Sequence, residues 1–273
     1  MNPSFRDPAA IVAGSGLSAR RGLSQNFLVD GVIARAILDA LPEAPAAVIE
    51  IGAGPGTMTR ALGQTRRAVA AVELDERLLP VLRRETSDLP NVSVVAGDAL
   101  KLPLGGLLPS PYAVFGNIPY HITGLLIPRL LALQPAPEWV GVLVQREVAE
   151  RLSAEPGGWS LATLAVRSAA TVEFLLRVPA RAFDPAPKVD SALVLLRPQP
   201  RAAFADDAFF DFARAVFQER RKQLANAVAN ALGHDPERGR DVVARSGIDA
   251  RRRPQTLDLG EWERLYRCYR EVA

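Results

Sequence analysis

Between Ala46 and Gln145 the chain repeats one plan: a short β-branched or small apolar run, then turn chemistry, then a helical pattern. Connections long enough to hold a helix make neighbouring strands parallel and put the helices on the faces of the sheet. The runs Ala47 to Gly52, Ala68 to Glu73, Val92 to Ala96, Tyr112 to Gly116 and Trp139 to Gln145 are the candidate strands. Their nearly continuous apolar character fits burial on both faces. Helices are expected between them at Thr57 to Gly63, Glu76 to Thr86 and Gly124 to Leu133.

Two more strand-like runs, Val172 to Val178 and Ser191 to Arg197, are separated by the proline-bearing loop Pro179 to Asp190. With no helix between them, one can close the sheet as an antiparallel strand. Pro198 to Ala202 reads as a linker. After it Ala208, Phe209, Phe212, Val216 and Phe217 share a helical face, and Leu224, Val228 and Leu232 follow at steps of four. The expected fold is therefore α/β: a seven-stranded, mostly parallel sheet over residues 1–200 and a smaller all-helical C-terminal domain over 201–273.

A chain of 273 residues that is 48% hydrophobic has the apolar material for such a core, which excludes a disordered or fibrous protein. The 33 basic and 30 acidic residues leave a net charge of +3, and Lys101, Lys188 and Lys222 are the only lysines. The arginine excess favours bidentate contacts to phosphate or carboxylate, although a genome rich in G and C would produce the same bias. A single cysteine, Cys268, excludes an internal disulfide and a thiolate cluster, and two histidines, His121 and His234, exclude a multi-histidine site, so no metal is expected. No run approaches the roughly 20 apolar residues of a membrane span, and Met1 to Arg20 lacks the build of a secretory signal. A soluble, cytoplasmic protein is expected.

Glu50-Ile51-Gly52-Ala53-Gly54-Pro55-Gly56-Thr57 ends the first strand. Glycines there let the backbone approach a ligand and leave helix N-terminal amides free to bind it, although such a run also serves as a plain tight turn. The spacing is G-x-G-x-G rather than the G-x-G-x-x-G of dinucleotide enzymes, which argues against a pyrophosphate. Glu73 ends the second strand about twenty residues on, where a carboxylate can accept both hydroxyls of a ribose. Asp98, after the third strand, can accept from an adenine amine. Together these strand ends describe a pocket for an adenosine that carries no phosphate, which S-adenosylmethionine satisfies.

The fourth strand runs into Asn117-Ile118-Pro119-Tyr120. The proline fixes the backbone so that the Asn117 side-chain oxygen and the Ile118 carbonyl can point together into the pocket mouth, while Tyr120 offers a flat ring. Two acceptors suit an exocyclic NH2, and a ring suits the base that bears it. Hydrogen-bonding that amine draws its lone pair out of conjugation and aims it at an electrophilic methyl group. No strongly basic side chain is then required.

Four blocks in order carry a family resemblance: Leu23-Ser24-Gln25-Asn26-Phe27-Leu28, Glu50 to Gly56, Asn117 to Tyr120, and Phe183-Asp184-Pro185-Ala186-Pro187-Lys188-Val189-Asp190-Ser191. From about residue 20 to residue 197 the chain resembles the ribosomal RNA adenine dimethyltransferases. Its tail, with Arg220-Arg221-Lys222-Gln223-Leu224-Ala225-Asn226, looks like the family's C-terminal domain. The resemblance implies a Rossmann-like methyltransferase sheet, an N-terminal segment (1–45) that covers substrate and cofactor, and a helical domain that grips RNA. It implies that Asn26 and Leu28 close over S-adenosylmethionine, that Gly52 and Gly54 approach its methionine part, and that Glu73 takes its ribose and Asp98 its adenine. Asn117 would contact the cofactor and hold the target amine, and Tyr120 would stack on the target adenine with Phe183 supporting the other side. The implied activity is dimethylation of the N6 amines of two adjacent adenosines in a hairpin near the 3′ end of small-subunit (16S) ribosomal RNA. The small ribosomal subunit is the implied partner, and a monomer is expected. Ser24 stands where the family has glycine, at a loop position where a positive φ would favour glycine.

Arg20, Arg21, Arg220, Arg221 and Lys222 are the candidate RNA-binding residues, since phosphate contacts position an RNA without reading its sequence. Arg66-Arg67, Arg83-Arg84 and Arg251-Arg252-Arg253 read as solvated faces, and His121 as a polar residue of the pocket rim. Trp139, Trp159, Trp262 and Cys268 read as packing residues. Two other functions fit the same residues: the related large-subunit dimethyltransferase of macrolide resistance, and a ribosome-assembly factor for which methylation is secondary.

Overall fold

The structure is a computed structural model that describes residues 7–20, 22, 25–65 and 68–272. Arg21, Ser24, Arg66 and Arg67, singled out above, lie outside the described residues. The chain divides into two compact units, Met1–Ala149 with Val172–Pro198, and Glu150–Thr171 with Gln199–Ala273.

The first unit is built on a seven-stranded sheet. Its centre is β2 (Ala47–Ile51), flanked in parallel by β3 (Ala68–Glu73) and β5 (Ala113–Asn117). β4 (Val92–Ala96) extends the sheet beyond β3, and β6 (Val140–Gln145) extends it beyond β5. β9 (Ser191–Pro198) lies antiparallel beside β6 and places Ser191 opposite Gln145, while β7 (Ala170–Val178) takes the edge next to β9. The seven strands and the antiparallel closure agree with the sequence reading. Strand order reverses between β2 and β5, and the crevice at the carboxyl ends of two such strands is where doubly wound sheets bind ligands.

Two expected helices are shorter than predicted. Where a helix was expected from Glu76, α4 (Leu79–Glu85) starts three residues later, because Asp75 first holds a turn by accepting from the backbone N–H groups of Arg77 and Leu78. α5 (Thr123–Leu131) likewise ends before Leu133. The sequence reading had assigned no element to α1 (Pro8–Gly14), α2 (Gly31–Ala40) or a second sheet, in which β1 (Phe27–Leu28) pairs antiparallel with β8 (Phe183–Asp184). Asp30 starts α2 by accepting from the Val32 and Ile33 N–H groups, which satisfies two of the orphan donors of a helix N-terminus. Ala34, Ile37 and Leu38 of α2 then pack into the core with Met58, Ala61 and Leu62 of α3 (Thr57–Gln64). Each fully buried large aliphatic side chain there contributes roughly 1.5–3 kcal/mol.

The second unit is helical, with α7 (Leu161–Arg167), α8 (Asp207–Gln218), α9 (Leu224–Ala231), α10 (Pro236–Arg245) and α11 (Leu259–Arg270); α6 (Arg146–Leu152) crosses into it. It begins earlier in the chain than the boundary expected at residue 201. Residues 150–171 join it because Trp159 and Leu164 are buried in the same apolar cluster as Phe209, Val216, Phe217 and Trp262. The three tryptophans are buried, as expected of packing residues. Among the described residues no helix is long and apolar enough to cross a membrane, and no group of three or more His, Cys, Asp or Glu side chains is placed to hold a metal ion.

Candidate active site

Four strand ends of the first unit converge on one cavity of about 290 Å³. The glycine loop after β2 forms its floor. Gly52, Gly54 and Gly56 have φ of 72°, 58° and 102°, a region that only glycine enters freely. A Cβ at Gly52 would lie 3.2 Å from the Asn117 carbonyl, and one at Gly54 would touch the Phe27 ring at 3.4 Å. Side chains there would fill the cradle as well as strain the backbone.

Glu73, at the end of β3, is almost fully buried. Its Oε2 accepts from the Gly54 N–H at 2.7 Å and its Oε1 from the Asp75 N–H at 2.7 Å. Burial pushes its carboxyl above the ordinary carboxylate range, and the backbone N–H groups oppose that rise. Each oxygen keeps a further lone pair for a ligand. Asp98, after β4, accepts from the Leu100 N–H through Oδ1 at 2.9 Å and leaves Oδ2 at 3.7 Å from the Lys101 ammonium. Arg129 of α5 secures this wall by donating to the Ala99 and Leu102 carbonyls at 3.0 and 2.7 Å.

At the end of β5 the Asn117 side chain gives Nδ2 to the Asn26 carbonyl at 3.1 Å. A backbone carbonyl only accepts, so the amide group facing it must be the NH2, and Oδ1 is directed elsewhere. Pro119 and the short turn Tyr120–Ile122 follow, and the Tyr120 hydroxyl is 2.7 Å from that of Ser191, a buried residue on β9. Desolvation raises the Tyr120 pKa. Replacing Ser191 by alanine or Tyr120 by phenylalanine is expected to lower kcat about two- to tenfold, the range for one hydrogen bond. The double variant should do no worse than either single one, because both remove the same contact. Steady-state turnover by the three variants checks this, and additive losses would mean that the two hydroxyls act separately.

Asn26, Gly52, Gly54, Glu73, Asp98, Asn117, Ile118 and Tyr120, all named from the sequence, line this cavity, as does His121 at its rim. Leu28 and Phe183 are not among the residues that line it. Both are buried in the core with Ile37 and Met58, where Leu28 stands opposite Phe183 in the β1–β8 ladder. Phe183 is 3% exposed and packs behind the strand that follows Asn26. Arg20 is half exposed, with a guanidinium nitrogen 3.9 Å from Asp75. Arg220, Arg221 and Lys222 are exposed after α8, and Lys222 pairs with Glu219 at 3.1 Å. Arg252 carries a structural role, an ion pair with Glu261, and its carbonyl accepts from the Leu224 N–H at 2.7 Å.

Several lining residues escaped the sequence reading, among them Gln25, Leu74 and Leu100. Leu74 is half exposed directly after Glu73, and a large apolar residue exposed at a strand end was the available signal. Glu50 is different. It is fully buried, its Oε2 has no hydrogen-bond partner among the described residues, and burial together with the nearby Glu73 pushes its carboxyl up to about 8. A carboxyl held above its unfolded value of 4.5 makes the fold lose stability as pH rises from that value toward 8. Glu50→Gln removes this titration. Its melting temperature should match wild type near pH 5 and exceed it by more than about 3 °C at pH 8.5. Equal shifts at both pH values in a thermal melt would show that Glu50 does not titrate there.

A doubly wound sheet with a glycine loop and acidic residues at successive strand ends defines a Rossmann-like methyltransferase. The ribosomal RNA adenine dimethylase family model matches residues 16–268. The chain is 40% identical over 256 residues to Ribosomal RNA small subunit methyltransferase A of Desulfitobacterium hafniense, covering 91% of each chain. Against the protein of the same name from Dehalococcoides mccartyi it is 37% identical over 268 residues, covering 96% of this chain and 92% of that one. The crystal structure of a dimethyladenosine transferase from Plasmodium falciparum superposes with a TM-score of 0.73 at 26% identity, over 89% of this chain and 96% of that one. A 23S rRNA methyltransferase superposes with a TM-score of 0.66 at 29% identity, over 89% and 99%. The protein belongs to the ribosomal RNA adenine dimethylase family.

Proposed function

We propose that the protein uses S-adenosylmethionine to dimethylate the N6 amines of two adjacent adenosines near the 3′ end of small-subunit ribosomal RNA, as a cytoplasmic monomer acting in subunit biogenesis. The observation that carries this reading is the orientation of Asn117, whose Nδ2 is committed to the Asn26 carbonyl. Its Oδ1 and the Ile118 carbonyl are then the two acceptors for the two hydrogens of a target amine. Holding both hydrogens in the first transfer, and the one that remains in the second, localises the nitrogen lone pair and directs it along the line of methyl transfer. Tyr120 stacks on the adenine, with its hydroxyl fixed by Ser191. After each transfer the nitrogen loses a proton to water at the open mouth.

The cradle fits the cofactor. Gly52 and Gly54 leave space where any Cβ would intrude, and the cavity approaches the usual lower bound for small-ligand sites, about 300 Å³. Glu73 would hold the ribose hydroxyls through its remaining lone pairs and Asp98 Oδ2 the adenine amine, with Leu74 and Leu100 as apolar walls. When bound, the cofactor supplies an electrophilic methyl on a positively charged sulfur. Arg20, Arg21, Arg220, Arg221 and Lys222 are the proposed phosphate contacts, and the target adenine must be splayed from its neighbours to reach the cavity, which costs less in a hairpin loop than in a duplex.

The small-subunit substrate is favoured by the names of the relatives at 37–40% identity, against 29% for the 23S enzyme. Labelled methyl transfer to small subunits lacking the modification, with large subunits in parallel and nucleoside analysis afterwards, tests the reading. Dimethyladenosine in small-subunit RNA alone is expected. Label only in large subunits would move the substrate assignment, and no label in either would leave a binding role.

A further inference from the structure

We propose that Gln25 is a positioning residue for methyl transfer: its side-chain amide ties the segment ahead of β1 to Asp75, and so fixes the Asn26 carbonyl that orients Asn117. This rests on the methyl-transfer reading above. The Gln25 amide is used at both ends. Its Oε1 accepts from the Arg20 N–H at 2.8 Å and its Nε2 donates to Asp75 Oδ2 at 3.1 Å. A glutamate at this position has no donor for Asp75, and an aliphatic residue has neither group.

Asp75 is a firm anchor. Its side chain is 1% exposed and is held by Arg77, which donates through Nε at 2.9 Å and through Nη2 at 2.6 Å. Its backbone N–H also donates to Glu73 Oε1, so the same residue touches the proposed ribose site. Beyond Asn26 the chain is pinned by the β1–β8 ladder and by the Thr57 hydroxyl on the Leu28 carbonyl. Asn26 thus sits between two fixed points, and Gln25 supplies the one on the N-terminal side. Release of that point frees the Asn26 peptide to turn, and Asn117 loses the acceptor that selects its amide orientation. The flipped amide presents NH2 to a target NH2, a donor against a donor.

The test exchanges the polarity of the pair. Gln25→Leu and Gln25→Glu are each expected to lower kcat about tenfold at saturating cofactor and RNA, the scale of one lost orienting hydrogen bond. In Gln25→Glu combined with Asp75→Asn, the amide introduced at position 75 donates to the carboxylate introduced at position 25 and its oxygen keeps Arg77 Nε while Arg77 Nη2 loses its acceptor, so the kcat of the pair should exceed that of Gln25→Glu alone. A merely structural role for Gln25 predicts no such rescue. A second measurement needs no turnover: the Asn117 side-chain NH2 resonances, assigned by their loss in Asn117→Ala, should move toward free-amide values in Gln25→Leu and return in the exchanged pair. A wild-type kcat in Gln25→Leu, or an exchanged pair no better than Gln25→Glu alone, overturns the inference while leaving the methyl-transfer reading intact. Wild-type protein that methylates no RNA sinks that reading instead, and the amide resonances then decide whether Gln25 orients Asn117.

Discussion

Asn117→Ala is expected to slow single-turnover methyl transfer by about 10²–10³-fold, the scale of removing one preorganised hydrogen-bonding group from a reacting centre. Cofactor affinity should change by less than about tenfold, one hydrogen bond at most. The informative variant is Asn117→Asp, which has nearly the same shape and keeps an acceptor for the target amine. It has no N–H for the Asn26 carbonyl, now met across 3.1 Å by Nδ2, so two acceptors would face each other. The aspartate is therefore expected to be as slow as the alanine. Rapid-quench measurement of labelled transfer, with cofactor binding by titration calorimetry, separates the two quantities. An aspartate variant that kept more than a tenth of the wild-type rate would show that amide polarity does not govern the step.

Glu73→Gln is expected to abolish most cofactor binding, raising Kd on the order of 100-fold, although it looks conservative. Each carboxylate oxygen already accepts from a buried backbone N–H, that of Gly54 on one side and that of Asp75 on the other. Glutamine can satisfy only one of them, and its NH2 must confront the other. A buried donor left in that state costs about 1–3 kcal/mol, so the variant should also melt several degrees lower. The pH dependence of the wild type gives a second check, because burial holds the Glu73 pKa above the ordinary carboxylate value. Cofactor affinity needs the ionised acceptor and is lost as pH falls through that raised pKa. The contribution of Glu73 to folding runs the other way: a raised folded pKa favours the fold at low pH and loses that stability as pH rises through it. Binding and stability thus respond to Glu73 with opposite signs, and a wild-type Kd in Glu73→Gln would remove Glu73 from the site.

Much of the site was readable because of how parallel strands end. Glu73, Asp98 and Asn117 lie far apart in sequence, yet each follows an apolar run that the repeated plan makes parallel, and parallel strands finish at one edge of their sheet. Three acidic or amide residues after three such runs therefore had to meet, with the glycine loop after the first. Tyr120 came with them, since Pro119 leaves few conformations between it and Asn117.

Where local sequence left a choice open, a contact across the chain supplied what it lacked. Phe183, beside two prolines, fitted a rigid strut as well as a core position, and nothing local distinguished them. Pairing with Leu28, far away in sequence, sets Phe183 in the β1–β8 ladder and buries it. Trp159 and Leu164 carried no sign of which core they would join, and burial with Phe209 and Trp262 moved residues 150–171 into the helical unit.

Local sequence sufficed for the α/β class, the strand ends that form the cavity and the chemistry gathered there, because period, glycine spacing and side-chain type act over a few residues. Only the folded chain sets which way the Asn117 amide faces, that Gln25 reaches Asp75, and that Ser191 meets Tyr120. Each is a hydrogen bond between residues 50 to 91 positions apart, and its polarity exists only once the packed sheet brings donor and acceptor within about 3 Å.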